Sequence, residues 1–253
     1  MTRKRLAGAG LAIGTPLVLL TLWEVCARTE VLNPLFFPPP SEVAATWWRL
    51  LRTGGLGEDV RISLTRLAVG FALGAVPGVA LGMAMGLWPP VRSAVLPTVN
   101  ALYPIPRIAI LPLVLVIFGI GESGKVFMIA FSVFFLMLIQ TLAGVRSIEP
   151  VMLDVARSAR ATAWQQYRTV AFPGALPSIF TGIRLALGFA LIVIVGTEFI
   201  ASNDGVGARI WRSYQILDIE TMYAGLITTA LIGWGLNLLV DAVEGLALPW
   251  RRG

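Results

Sequence analysis

The chain has 253 residues, of which 57% are hydrophobic and only 13% charged, about half the charged share of an average soluble domain, so a soluble globular fold is excluded and a polytopic membrane protein is expected. The net charge of +6 fits basic residues gathered at span ends rather than a nucleic-acid surface. One cysteine, Cys26, and no histidine leave no intrachain disulfide, no Cys/His metal site and no imidazole base, which counts against hydrolytic and proton-shuttling enzymes.

Six apolar stretches are long enough to cross a bilayer, at 6–26, 62–87, 95–119, 124–145, 176–200 and 221–246, since a span needs about 20 residues. The expected fold is all-α with six transmembrane helices. The first stretch follows a basic start and precedes no A-x-A site, so it reads as a retained span rather than a signal peptide. The division is a stub and first span over 1–27, an extracytoplasmic segment over 28–61, a core of five spans over 62–247 that includes the polar loop 146–175, and a tail over 248–253. With the N-terminus cytoplasmic, Arg3, Lys4, Arg5, Arg92, Arg146, Arg157, Arg160, Arg168, Arg251 and Arg252 lie inside, and the outside segments carry fewer bases and more acids. The positive-inside rule favours that orientation. Within 28–61, PPPSEVAATWWRLLR offers Ser41 as an N-cap and Val43, Trp47, Leu50 and Leu51 as one stripe, a short helix lying on the outer surface.

The second stretch places Gly70, Gly74, Gly78, Gly82 and Gly86 at every fourth position, a bare helix face that another helix can approach closely. The third carries Pro97, Pro104, Pro106 and Pro112 and is expected to be broken, a backbone tolerated at membrane depth only when buried in protein or lining a cavity. GIGESGK at 119–125 matches the phosphate-cradling pattern G-x-x-x-x-G-K, but Val126 replaces the hydroxyl that would hold magnesium, and a tight extracellular turn is the better reading. Polar groups inside a membrane face a cavity or a partner. The candidates are Asn100, Arg107, Gln140, Arg184, Glu198 and Asn237. Asn100, Tyr103, Arg107 and Gln140 are assigned to a solute path, and Arg184 and Glu198 are expected to reach an interface by snorkelling.

Between the fourth and fifth stretches lies DVARSARATAWQQYRTVAFP, residues 154–173, too polar to span. Pro150 opens a first helix with Met152, Val155, Ala156 and Ala159 on one face. Thr162 to Gln165 reads as a capping box that starts a second helix striped by Trp164, Tyr167, Val170 and Ala171. Pro173 is expected to stop it, and Pro177 to open the fifth span. An elbow of two amphipathic helices on the cytoplasmic side suits either a lipid surface or a cytoplasmic partner.

These residues resemble a known family. Permease subunits of ATP-binding-cassette importers carry, in this loop, E-A-A, three residues, G, nine residues, I, one residue, L-P. Here Asp154, Val155 and Ala156 take the first three positions, Arg160 the glycine, Val170 the isoleucine and Phe172-Pro173 the last two. With LAGVRSIEP, FPGALPSIFTGIRLALG, FFPPPSEV and FGIGESGK, the chain from about Phe36 to Trp250 is similar to the nitrate/taurine/sulfonate-type permeases. The resemblance implies a type I importer permease in the bacterial inner membrane, both termini cytoplasmic, two copies paired around a translocation path. It implies a separate cytoplasmic ATPase dimer that carries ATP and magnesium, so that this chain has no catalytic residue, cofactor or metal. It also implies an extracytoplasmic binding protein that delivers a small anionic or zwitterionic solute, taurine or another alkanesulfonate ahead of nitrate or bicarbonate. The ATPase contacts implied are Asp154, Val155, Ala156, Arg157, Arg160, Ala161, Thr162, Trp164, Tyr167 and Pro173. Glycine suits a left-handed bend, where an arginine costs roughly 1–2 kcal/mol; either the bend is built differently here or Arg160 adds a contact to the ATPase. Related permeases usually place Arg before the P-x-P of the third span, whereas here Tyr103 precedes it and Arg107 follows. The rival readings are a membrane-embedded enzyme acting on a lipid-like substrate and a nucleotide-binding protein through 119–125.

Overall fold

The structure, a computed structural model, describes residues 2–249, with the side chains of 2–13, Leu153 and Arg157 outside the description. The expectations placed on Arg3, Lys4, Arg5, Arg157, Arg251 and Arg252 therefore lie outside the described residues. The described chain is helical throughout: α1 (Thr2–Arg28), α2 (Pro40–Thr53), α3 (Leu56–Leu87), α4 (Pro89–Leu102), a 3-10 turn (Arg107–Ile110), α5 (Leu111–Phe118), α6 (Glu122–Arg146), α7 (Pro150–Ser158), α8 (Ala163–Gln166), a π-helical segment (Tyr167–Ala171), α9 (Phe172–Ala201), α10 (Val206–Gln215) and α11 (Ile219–Ala247). Four stretches are long and apolar enough to span, namely α3, α6, Ala163–Ala201 and α11, and α4 with residues 107–118 forms a fifth that bends by 85°. The first expected span, 6–26, falls within the 27 residues of α1. The boundary drawn at 61/62 falls inside α3, which starts at Leu56.

The core is a triangle of α3, α6 and α9. The glycine stripe of α3 lies flat against α6. A Cβ on Gly70 would stand 2.6 Å from Ile129 Cβ, on Gly78 2.7 Å from the Phe134 carbonyl oxygen, on Gly82 2.6 Å from that of Leu138, and on Gly86 2.5 Å from Val145 Cβ; Gly74 meets the Ala130 carbonyl as closely. The partners climb with the glycines, so α3 and α6 run parallel. The α9 helix runs antiparallel to α6, with Gly182 over Gln140 and Gly144 over Ser178, and buries Ala175, Ala186 and Ala190 in the same seam. Small residues on all three helices let backbones approach where lipid supplies no hydrophobic drive.

Around this triangle the broken span crosses over α6. Val99 of α4 packs with Met85, Leu138 and Leu142 at one end, and Val114 of α5 reaches Gly124 at the other. Ser41 does not cap α2. Pro39 holds the cap position, and Ser41 turns its hydroxyl and its N–H to Glu24 at 2.8 and 3.0 Å, tying α2 to the end of α1. Val43 and Thr46 are buried, whereas Leu51 of the expected stripe is exposed. The reason is a polar tie to α11, through Thr46 to Glu220 at 2.5 Å and Trp47 to Thr228 at 3.0 Å.

Pro173 does not stop the second elbow helix, nor does Pro177 open a new one. Residues Ala163–Ala201 form one continuous 39-residue helix, and Pro177 lies inside it. The π segment explains the difference. Proline lacks an N–H and its ring crowds the carbonyl four residues back. Here Phe172 donates five residues back, to Tyr167, and the widened turn makes room for Pro173.

Replacing Gly78 by Leu should separate α3 from α6 and destabilise the protein by about 1–3 kcal/mol or more, while Gly235→Leu, where a Cβ meets nothing within 4 Å, should be near neutral. Thermal unfolding of the two purified variants in detergent checks the difference; equal behaviour would remove the glycine seam from the account.

Candidate functional site

Three places carry polar chemistry, one at each end of the triangle and one between. At the α6–α9 connection, α7 ends in a turn where Arg160 adopts φ 53°. The Ala161 N–H reaches back to the Ala156 carbonyl at 3.0 Å, the six-to-one bond that closes a helix through a left-handed residue. The alternative that this bend is built differently is therefore overturned: it is the bend glycine usually makes, with arginine in it. Thr162 and Gln165 form the reciprocal capping box, and Gln166 Nε2 donates to the Ala161 carbonyl at 2.9 Å. Trp164, 65% exposed, stacks on Tyr167 at 5.3 Å, which meets Phe172 at 5.8 Å. Asp154, Val155, Arg160, Thr162 and Trp164 are exposed; Ala156, Ala161, Tyr167 and Pro173 are half-buried. Val151, Met152 and Val155 of α7 face Val170, Pro173 and Gly174 across an apolar groove.

In the broken span, Pro104 and Pro106 strip the backbone of donors, and Arg107 fills the gap. Its Nη1 donates to the carbonyls of Tyr103 and, at 3.1 Å, Ile105. Tyr103 and Arg107 thus share the break, with Asn100 one turn earlier on α4 and exposed. Gln140 is not with them. It packs under Gly182, more than a turn beyond Phe135 on α6. Asn237, expected to be buried, is exposed and donates to the Gly233 carbonyl of its own helix at 2.9 Å.

The far end holds a cluster centred on Arg66 of α3. Its guanidinium, 3% exposed, binds Glu122 at 2.6 Å, Glu198 at 2.8 Å and Asp204. Glu198 does not snorkel. It is fully buried and accepts from Ser63 at 2.8 Å and from the Gly207 N–H at 2.9 Å. Asp59 and Ser63 accept from the N–H groups of Gly205 and Val206, each at 3.0 Å, so side chains of α3 and α9 cap α10. Arg209 returns from α10 to Asp59 at 2.5 Å. The Arg66 hydrogen bond holds the Asp204 carboxyl below its ordinary range. The phosphate-loop lookalike is spent here: Lys125 is buried and donates to Glu122 at 2.8 Å and Ser202 at 3.0 Å. Arg184, also expected to snorkel, is exposed and pairs with Asp241 and, at 3.1 Å, Glu244 on α11.

Residues 78–253 match the family model described as "binding-protein-dependent transport system inner membrane component". The chain belongs to this family. The permease is 35% identical over 249 residues to the taurine transport system permease protein TauC of Escherichia coli (strain K12), covering 95% of this chain and 90% of that one. It is 33% identical to the putative aliphatic sulfonates transport permease protein SsuC of Bacillus subtilis (strain 168), covering 94% and 86%. In fold it is similar to a chain of the MetNI methionine ABC transporter in an inward-facing conformation, with a TM-score of 0.66, 18% identity, and coverage of 73% of this chain and 92% of that one. The permease is thus a multi-pass membrane transport subunit of an ATP-binding-cassette importer, working with an ATPase and a binding protein, and the reading as a membrane-embedded enzyme has no support.

Sequence reasoning passed over Arg66 because it lies one turn inside the span drawn from 62. An arginine there, with Glu122 and Glu198 at the matching ends of two later spans, is the signal that pairs them. Replacing Arg66 by Met should cost the permease about 3–5 kcal/mol, because Glu198 is left buried and unpaired. The double variant Arg66→Met/Glu198→Met should recover part of that loss, measured as thermal stability; additive losses would show that the two do not interact.

Proposed function

We propose that this permease imports a small anion of the alkanesulfonate class, with nitrate and bicarbonate less favoured, and works as a homodimer in the lipid of a bacterial inner membrane. Both termini and the elbow face the cytoplasm. ATP and magnesium are bound by the ATPase dimer, into which each elbow fits through Asp154, Val155, Ala156, Arg157, Arg160, Ala161, Thr162, Trp164, Tyr167 and Pro173. The supporting observation is the exposed apolar rim at the elbow, Val151, Met152, Val155 and Trp164, at the end of the bundle away from the Arg66 cluster. Sulfonate is favoured by the names of the two relatives. The solute path runs along the broken span past Asn100, Tyr103 and Arg107, with Gln140 beyond them. ATP and the loaded binding protein act as ligands that each favour one state of a bistable structure. A thermal-shift screen of the cognate binding protein against alkanesulfonates, nitrate and bicarbonate tests the solute class.

In a Cys26→Ser background, cysteines at Gln166 and Asn203 should label from opposite faces of the membrane in intact cells; labelling of both from outside would overturn the orientation. Truncating Trp164 and Tyr167 to Ala should weaken ATPase binding about 30-fold, the size of a lost aromatic anchor of about 2 kcal/mol, and lower transport per ATP. Arg160→Gly removes the left-handed strain and should bind the ATPase as well as the parent or better. A loss that shrinks as salt rises would instead show that the Arg160 charge, and not only its place in the bend, carries the contact.

A further inference from the structure

Among the described residues, three arginines lie within the apolar stretches 62–87, 95–119 and 176–200. Arg66 and Arg184 are each met by carboxylates. Arg107 meets none. Its guanidinium stands 5.0 Å from the ring centre of Tyr103 and 5.8 Å from that of Phe135, and Phe135 lies near the middle of α6. An uncompensated cation at that depth is costly. Capping the carbonyls of Tyr103 and Ile105 does not require it, since a neutral amide donates as well to a carbonyl.

The geometry leaves one part of the group open. Two rings flank the guanidinium, and Nη1 is taken by the two carbonyls. Within the described residues Nε and Nη2 meet no acceptor. That edge is the one that binds an oxyanion through two parallel N–H donors. Towards the Glu122 end, α6 continues the aromatic surface: Phe135 meets Phe131 at 5.0 Å, Phe131 meets Phe127 at 5.9 Å, and Phe127 meets Phe118 at 5.0 Å.

We propose that Arg107 binds the anionic group of the solute, an oxyanion of the sulfonate class, at the midpoint of its passage, with Tyr103 and Phe135 fixing the plane of the guanidinium. This rests on the solute class argued above. The test uses the permease assembled with its ATPase and binding protein in proteoliposomes, in the Cys26→Ser background, with an alkanesulfonate that the binding protein has been shown to bind. If it binds none, the solute class fails at that step, apart from Arg107. Arg107→Lys keeps the charge but not the two-donor edge and should lose about threefold to tenfold in transport; Arg107→Gln keeps a donor for the carbonyls but no charge and should lose at least about tenfold more, while the loaded binding protein still stimulates ATP hydrolysis. Equal transport by the two variants would reduce Arg107 to a cap and overturn the proposal. Should Arg107→Gln fail to assemble, Asn100→Cys with Arg107 intact decides: an anionic methanethiosulfonate should modify it faster than a cationic one. Equal rates, or no modification by either, would overturn the proposal.

Discussion

The close approach of α3 to α6 is the contact on which the other elements rest. Lipid tails are as apolar as leucine, so helices in a membrane gain little by merely hiding apolar surface from one another. What remains is packing, and packing needs proximity. Five glycines at a four-residue spacing give α3 a face without side chains, and α6 lays Ile129, Val133, Met137, Thr141 and Val145 into it in order. Because the two run parallel, a chain of alternating spans must place one crossing between them. The broken span is that crossing, and it has to pass over α6 rather than beside it, since α3 already occupies the side.

Packing of this kind fixes distance but leaves sliding cheap, and the charges prevent it. Arg66 joins the ends of α3, α6 and α9 through three carboxylates of unlike exposure, Glu198 at 0%, Asp204 at 53% and Glu122 at 61%. The buried partner sets the register, and the two exposed ones leave their remaining lone pairs to water, which lowers the desolvation cost that a wholly buried cluster carries. The same carboxylate reaches the first turn of α10, so a short external helix is positioned by residues of the spans and not by its own loop.

Much of this was legible from residue order. The glycine register, the proline break and the capping box at Thr162 each follow from one local rule, and each is found where that rule places it. The misreadings share a different cause. Ser41, Pro173 and Glu198 were judged by what each residue does alone: cap a helix, end a helix, move to water. Ser41 is claimed by Glu24, Pro173 sits behind a π turn, and Glu198 meets an arginine 132 positions earlier in the chain. Partners at that separation leave no mark on local periodicity. Arg160 is the converse case, where the local rule assigned a conformational cost and the backbone adopts it regardless.

The uninterrupted helix from Ala163 to Ala201 makes the elbow and the buried Glu198 two points on one lever. At 1.5 Å per residue, Trp164 and Glu198 are about 50 Å apart along it, so a tilt of about 5° at one end displaces the other by about 4 Å. That exceeds the 2.8 Å between Arg66 and Glu198. The ion pair then survives such a tilt only if α3 is carried along, and α3 in turn carries α6 on its glycines. The π segment beside Pro173 is where the rod's regular hydrogen bonding departs from the α pattern, close to its base, so any compliance it has shortens the stroke before it reaches the core.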